Sequence, residues 1–188
     1  MPNFRDFVRA VPSEKPMEHE QTTFMNKQLA FSDIKAFIFD VDGVLTDGTM
    51  LCFANGEQVR AFNIKDGFAI RHAIKKGYVI AIISGRKEEG VYKRLQSLDV
   101  QHIYLGVDNK DEVFQAFLQE QNLRPEQVAY MGDDVPDIAV MQQCGLAACP
   151  ADAATDVLDI CHYVSESLGG KGAVRDLIEM IMKTHSKW

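Results

Sequence analysis

The stretch IKAFIFDVDGVLTDG, Ile34–Gly48, decides how the rest of the chain is read. Its apolar run from Ala36 to Phe39 has the unbroken character of a strand buried on both faces of a parallel sheet. Asp40 and Asp42 follow where that strand must end. In extended backbone, residues i and i+2 point to the same side, so both carboxylates can reach one small site while Val41 packs the other way. Gly43 permits an immediate sharp turn, and open α/β sheets bind ligands at the carboxyl ends of their strands.

Working outward, the same signature recurs. TMLCFANGEQVRAFN, Thr49–Asn63, alternates apolar and polar residues around Asn55-Gly56, which predicts a β-hairpin with strands near Met50–Phe53 and Gln58–Phe62. An amphipathic helix is expected over Asp66–Lys76, with Phe68, Ile70, Ala73 and Ile74 on its apolar side. Buried strand Tyr78–Ile83 ends in Ser84-Gly85-Arg86, and helix Lys87–Ser97 leads to strand His102–Leu105. A helix opening at Lys110 runs to about Gln121, and strand Val128–Met131 ends in Gly132-Asp133-Asp134-Val135-Pro136-Asp137. After a helix to Gln143 come strand Leu146–Ala148, a helix near Ala153–Leu158, a short strand at Tyr163–Val164, the loop Gly169–Gly172 and a closing helix Ala173–Lys183. Strands alternating with helices at this spacing predict an α/β fold with a doubly wound, Rossmann-like parallel sheet. Every polar motif falls just after a strand.

The chain of 188 residues suits one domain, taken as residues 33–188. Residues 1–32 form a polar, Pro-containing extension with at most a short helix near Phe24–Leu29. A net charge of −7 argues against a nucleic-acid binder, since phosphate backbones need clustered Lys and Arg. Cys52, Cys144, Cys149 and Cys161 lack metal-ligand spacing and suit a reducing compartment. No signal peptide or bilayer-length apolar run is evident, so a cytoplasmic protein without membrane association is expected.

Asp40-Val41-Asp42-Gly43-Val44-Leu45-Thr46 resembles the DxDGxLT first motif of the haloacid dehalogenase superfamily, most of whose members are magnesium-dependent phosphatases. Ser84, Lys110 and GDDVPD are similar to its second, third and fourth motifs, in that order. Taken singly, Ser84 is most simply a cap, Lys110 a surface lysine and Asp133-Asp134 a helix start. Their order and placement give them weight. The resemblance implies Asp40 as nucleophile, Asp42 as general acid/base, Ser84 and Lys110 as phosphoryl partners, and Mg2+ held by the carboxylates of Asp40 and Asp133 and the backbone carbonyl of Asp42. Asp134 and Asp137 would hold waters or orient Lys110. A phosphate monoester carries nearly two negative charges, and a carboxylate nucleophile can approach it only where positive charge offsets the repulsion.

Only 41 residues separate Asp42 from Ser84 and 25 separate Ser84 from Lys110, so neither gap holds a cap domain. The resemblance is to a capless subgroup acting on phosphorylated sugar acids, through DVDGVLTDG, FNIKDGFAIR, SGR, GDDVPD and GGKGAVR. Members are homotetramers that pair their hairpins, and an open apolar hairpin edge is an association hazard unless paired. Thr46, Arg60, Lys65, Gly85, Arg86, Lys171 and Arg175 lie in the matching loops as candidate substrate contacts, Arg86 and Lys171 first. The motifs do not separate eight-carbon from nine-carbon sugar acids. A regulatory module without activity is the alternative of another class, and it would be expected to carry a damaged motif.

Overall fold

The computed structural model describes residues 31–188. Six parallel strands form one sheet: β1 (Ala36–Phe39), β4 (Val79–Ser84), β5 (His102–Leu105), β6 (Val128–Met131), β7 (Leu146–Cys149) and β8 (Tyr163–Val164). β2 (Leu51–Cys52) and β3 (Gln58–Val59) make a separate antiparallel pair. The order across the large sheet is β5-β4-β1-β6-β7-β8. The helices are α1 (Ile64–Lys75), α2 (Glu89–Gln96), α3 (Lys110–Gln121), α4 (Ile138–Met141), α5 (Thr155–Leu158) and α6 (Ala173–Thr184).

Alternation within β1 explains the two layers. Phe37 and Phe39 face a core shared with Ile70 of α1, Leu95 of α2 and Leu177 of α6, while Ala36 and Ile38 face Phe114 and Phe117 of α3 and Val140 of α4. A strand with helices on both faces has no polar face, which is why its sequence reads as one apolar run. The chain leaves β1 towards β4 but leaves β6 towards β7, so the winding reverses between β1 and β6. Phe39 is in register with Ile82 on one side and Met131 on the other. The residues just beyond β1, β4 and β6 therefore open onto one crevice.

Two expectations are revised. The hairpin forms at Asn55-Gly56, but only Leu51–Val59 and Cys52–Gln58 pair, a shorter ladder than Met50–Phe53 with Gln58–Phe62. A two-stranded ribbon without a third strand has little to extend it. Phe68 is not on the buried side of α1: it is 56% exposed, and Gly67, Ala69, Ile70 and Ala73 take the inward stripe. Phe68 instead stacks on His72 and meets the edge of Trp188.

Phe31 is buried, and its carbonyl accepts a hydrogen bond from Nε2 of His185. The helix expected near Phe24–Leu29, and the rest of the N-terminal extension through residue 30, lie outside the described residues. Among the described residues, no helix is long and apolar enough to cross a membrane.

Candidate active site

Asp40 stands one residue beyond β1, and its Oδ1 accepts from the Val41 amide at 2.6 Å. The turn Val41–Leu45 then doubles back, with Gly43 at φ 75°. A side chain at Gly43 would meet Asp133 Oδ2 at 1.8 Å, so glycine is required both for the turn and for the close approach of β6's loop. Two strand ends thus bring Asp40 and Asp133 together. Lys110, the first residue of α3, is buried, and its Nζ lies 2.8 Å from Asp40 Oδ2 and 2.7 Å from Asp137 Oδ1.

Asp137 is 1% exposed and fully engaged. Its Oδ1 also accepts from the Tyr130 hydroxyl at 2.5 Å, and its Oδ2 from the Asp133 amide at 3.3 Å. Tyr130 was not singled out from the sequence, because a tyrosine inside VAYM reads as core; its hydroxyl ends beneath the site, and its place seven residues before Asp137 was the only signal. Asp134 is exposed and accepts from the Val135 amide.

Charge is out of balance here. Burial, together with Asp40, Asp137 and Asp134, pushes the Asp133 carboxyl up to about 7. Burial, then Asp137, also raises Asp40 against the opposing pull of Lys110. Burial disfavours the charge on Lys110, but Asp40 and Asp137 outweigh it and raise its pKa. Tyr130 is raised well above its ordinary value by burial and then by Asp137, so it donates rather than ionises. One lysine does not offset these carboxylates.

Oxygens of Asp40, Asp133 and Asp137 lie within 4.8 Å of one another. Hard carboxylate oxygens around excess negative charge fit a magnesium ion. Asp40 and Asp133 are the more open to it, since Asp137 is 1% exposed and its two oxygens accept three hydrogen bonds, while each Asp40 oxygen has one partner.

A cavity of about 370 Å3 covers this cluster, lined by Asp40, Asp42, Ser84, Gly85, Arg86, Lys110, Asp133, Asp134 and Asp137 among others. The Asp42 carboxylate is held by two arginines. Arg60 donates from Nε to Oδ1 at 2.6 Å and from Nη2 to Oδ2 at 3.3 Å, and Arg86 donates from Nε to Oδ2. Ser84 is buried at the end of β4, its Oγ 3.5 Å from the Arg86 amide.

The structure leaves five of the expected substrate contacts off the cavity wall: Arg60, which meets it only through Asp42, and Thr46, Lys65, Lys171 and Arg175. Thr46 is fully buried, and its hydroxyl donates back to the Val41 carbonyl, fastening the turn from below. Lys65 is exposed in the first turn of α1, where the Asn63 side chain caps its amide. Lys171 pairs with Asp47 at 3.0 Å. Arg175 pairs with Glu179 and lays its guanidinium over Trp188 and Phe68. The loop carrying Lys171 nevertheless presses on the turn after β1: a side chain at Gly169 would meet the Gly43 carbonyl at 1.9 Å, and the Gly170 amide donates to Val44.

A cavity of about 370 Å3 at the switch point of a doubly wound sheet, floored by two strand-end aspartates and a buried lysine, is the arrangement of a phosphohydrolase of α/β fold. The chain belongs to the haloacid dehalogenase-like hydrolases: that family's model matches residues 68–150, and strong relatives cover most of the chain. It is 40% identical over 155 residues to 3-deoxy-D-manno-octulosonate 8-phosphate phosphatase KdsC of Escherichia coli K12, covering 82% of each chain. The crystal structure of the Yersinia pestis phosphatase of that name superposes with a TM-score of 0.84 at 38% identity, over 85% of this chain and 86% of that one. The Moraxella catarrhalis phosphatase of that name, solved with magnesium, phosphate and KDO, superposes with a TM-score of 0.82 at 30% identity, over 85% and 92% of the two chains.

Proposed function

We propose that this chain is a magnesium-dependent phosphatase that hydrolyses 3-deoxy-D-manno-octulosonate 8-phosphate to the free sugar acid and phosphate, on the route to lipopolysaccharide. The observation that supports it most is the contact of Lys110 with both Asp40 and Asp137 beside Asp133, in a chain 40% identical to phosphatases of that substrate. Asp40 is the nucleophile: a carboxylate oxygen attacks phosphorus, the ester P–O bond breaks, and Asp42 gives the leaving alkoxide a proton. Asp42 then takes a proton from water as the water oxygen attacks the aspartyl-phosphate, releasing phosphate and restoring Asp40. Magnesium, bound by Asp40, Asp133 and the Asp42 carbonyl, would supply positive charge to the phosphoryl oxygens. Lys110, held in place by Asp137, supplies positive charge of its own, and Ser84 donates to the same phosphoryl group.

Arg86 is half exposed beside Asp42 and is the arginine best placed to take the carboxylate of a sugar acid in bidentate fashion. The enzyme works as a cytoplasmic homotetramer with one catalytic domain per chain, its exposed hairpins paired between copies. The test is magnesium-dependent phosphate release from the eight-carbon 8-phosphate beside nine-carbon sugar acid 9-phosphates, with Asp40→Asn as the blank. Selective release from the eight-carbon ester is expected. Preference for a nine-carbon ester would keep the mechanism and change the substrate, and release from none of them would overturn the reading.

A further inference from the structure

Arg60 sits one residue beyond β3, at the foot of the hairpin, yet its side chain is only 2% exposed. It reaches from the hairpin to Asp42, on the wall of the active-site cavity, and grips both of its oxygens. On its way it touches Met50 at the other foot of the hairpin, with Nη2 3.4 Å from Sδ. Nη1 lies 3.2 Å from Glu88 Oε1, just before α2, but is not aligned for a hydrogen bond. Arg86, by contrast, holds Asp42 through one nitrogen from a half-exposed side chain.

The two grips differ in what they can do. A half-exposed arginine held through one contact is free to exchange partners when an anionic ligand arrives. A buried, planar guanidinium locked onto both oxygens fixes the direction of the carboxylate. We propose that Arg60 is a positioning residue: it aims Asp42 at the leaving oxygen and ties that aim to the seating of the hairpin, so that Asp42 stays directed when the substrate draws Arg86 away. This rests on the phosphatase reading above and adds a role that the reading does not require. Misplacing a proton donor by about an ångström costs on the order of 10²-fold in rate.

The leaving group separates this role from a structural one. Breaking a sugar phosphate ester expels an alkoxide, which needs the proton of Asp42, whereas p-nitrophenyl phosphate expels a stable phenolate that does not. In Arg60→Met, kcat for the eight-carbon sugar acid 8-phosphate should fall about a hundredfold, with KM changed much less. The rate on p-nitrophenyl phosphate should fall less than tenfold. Arg60→Lys, which restores a point charge, should recover part of the alkyl ester rate. If Arg60→Met does not fold, the same ratio is read from Arg60→Lys and from Glu88→Gln, which loosens the far side of Arg60. Equal losses on both esters, or a loss confined to KM, would overturn the positioning role while leaving the phosphatase intact. A wild-type chain inactive on both esters would overturn the phosphatase reading itself.

Discussion

The carboxyl edge of the sheet and the hairpin that rises beside it are built on opposite terms. At the edge, charged groups are drawn together and most are answered: Lys110 by Asp40 and Asp137, Asp137 by Tyr130, Asp42 by Arg60 and Arg86, while Asp133 faces like charge. On the hairpin, apolar groups are exposed: Leu51 is 58% exposed, Phe53 53% and Met50 37%. The contacts of the edge close within one chain, while the hairpin presents apolar surface outward. The homotetramer proposed above would cover this row of exposed apolar groups. Arg60 joins the two regions.

The sharpest way to break the edge is at its nucleophile. Asp40→Asn should lower kcat by on the order of 10⁴-fold or more, measured as magnesium-dependent phosphate release, because a carboxamide cannot form the acyl-phosphate. Retention of a tenth of the wild-type rate would show that a different group attacks phosphorus. Next comes Lys110→Met, which strands Asp40 and Asp137 as buried, uncompensated carboxylates. Removing one partner of such a cluster typically costs about 3–5 kcal/mol, so the variant should lose both activity and a large part of its stability in urea titration. Wild-type stability in this variant would mean that the carboxylates share protons rather than depend on the lysine.

The hairpin is tested by the opposite loss. Leu51→Asp together with Phe53→Asp places charges on exposed positions and should barely alter the stability of one chain. Sedimentation at micromolar concentration should then change from four copies to fewer, with secondary structure by circular dichroism unchanged. A wild-type chain that sediments as a monomer would remove the tetramer from the proposal. Activity measured on the dissociated variant would report how far the edge depends on the hairpin through Arg60.

The same contrast explains what could be read from the sequence. The edge was legible because strand-end motifs are local: DVDG, SGR and GDDVPD each follow a buried run, and a parallel sheet places all such ends together. The strands His102–Leu105, Val128–Met131 and Tyr163–Val164 fall where the periodicity put them. What was not legible depends on distance in the fold. Arg60 read as equally a surface charge or a substrate contact, and only the path of the hairpin buries it against Asp42. Arg175 belongs to a stretch that matches by motif, but it lies in the first turn of α6, where Trp188, thirteen residues on, draws it across Phe68. Phe68 itself was misplaced because an aromatic at the margin of a helical stripe can pack sideways, and Gly67 and Ala69 let the helix sit closer to its neighbours than Phe68 would. Tyr130 was hidden by its own strand.

The smallest expected effect is a dependence of stability on pH that reverses with metal. Asp133 has an ordinary value of 3.8 and is pushed up to about 7 in the fold. A folded value above the unfolded one means that the native state binds the proton more tightly. Its stabilising contribution is then complete below about pH 4 and is lost as pH rises through 7. Asp40 is raised in the same direction by burial first, and so is Asp66, buried between α1 and α6 with one oxygen unpartnered. In EDTA, the melting temperature should therefore fall from pH 5 to pH 8. The loss should reach a few kcal/mol at most, at about 2–4 °C for each kcal/mol in a protein of this size. Saturating magnesium should raise it more at pH 8 than at pH 5, because the ion binds only the ionised carboxylates. Asp133→Asn should flatten the slope seen in EDTA and abolish the gain from magnesium, whereas Asp66→Asn should flatten part of the slope and leave the gain untouched. A melting temperature that rises with pH in EDTA would mean that the carboxylates at the edge are paired well enough to stay ionised without a cation, and the edge would then be as self-sufficient in charge as it is in contacts.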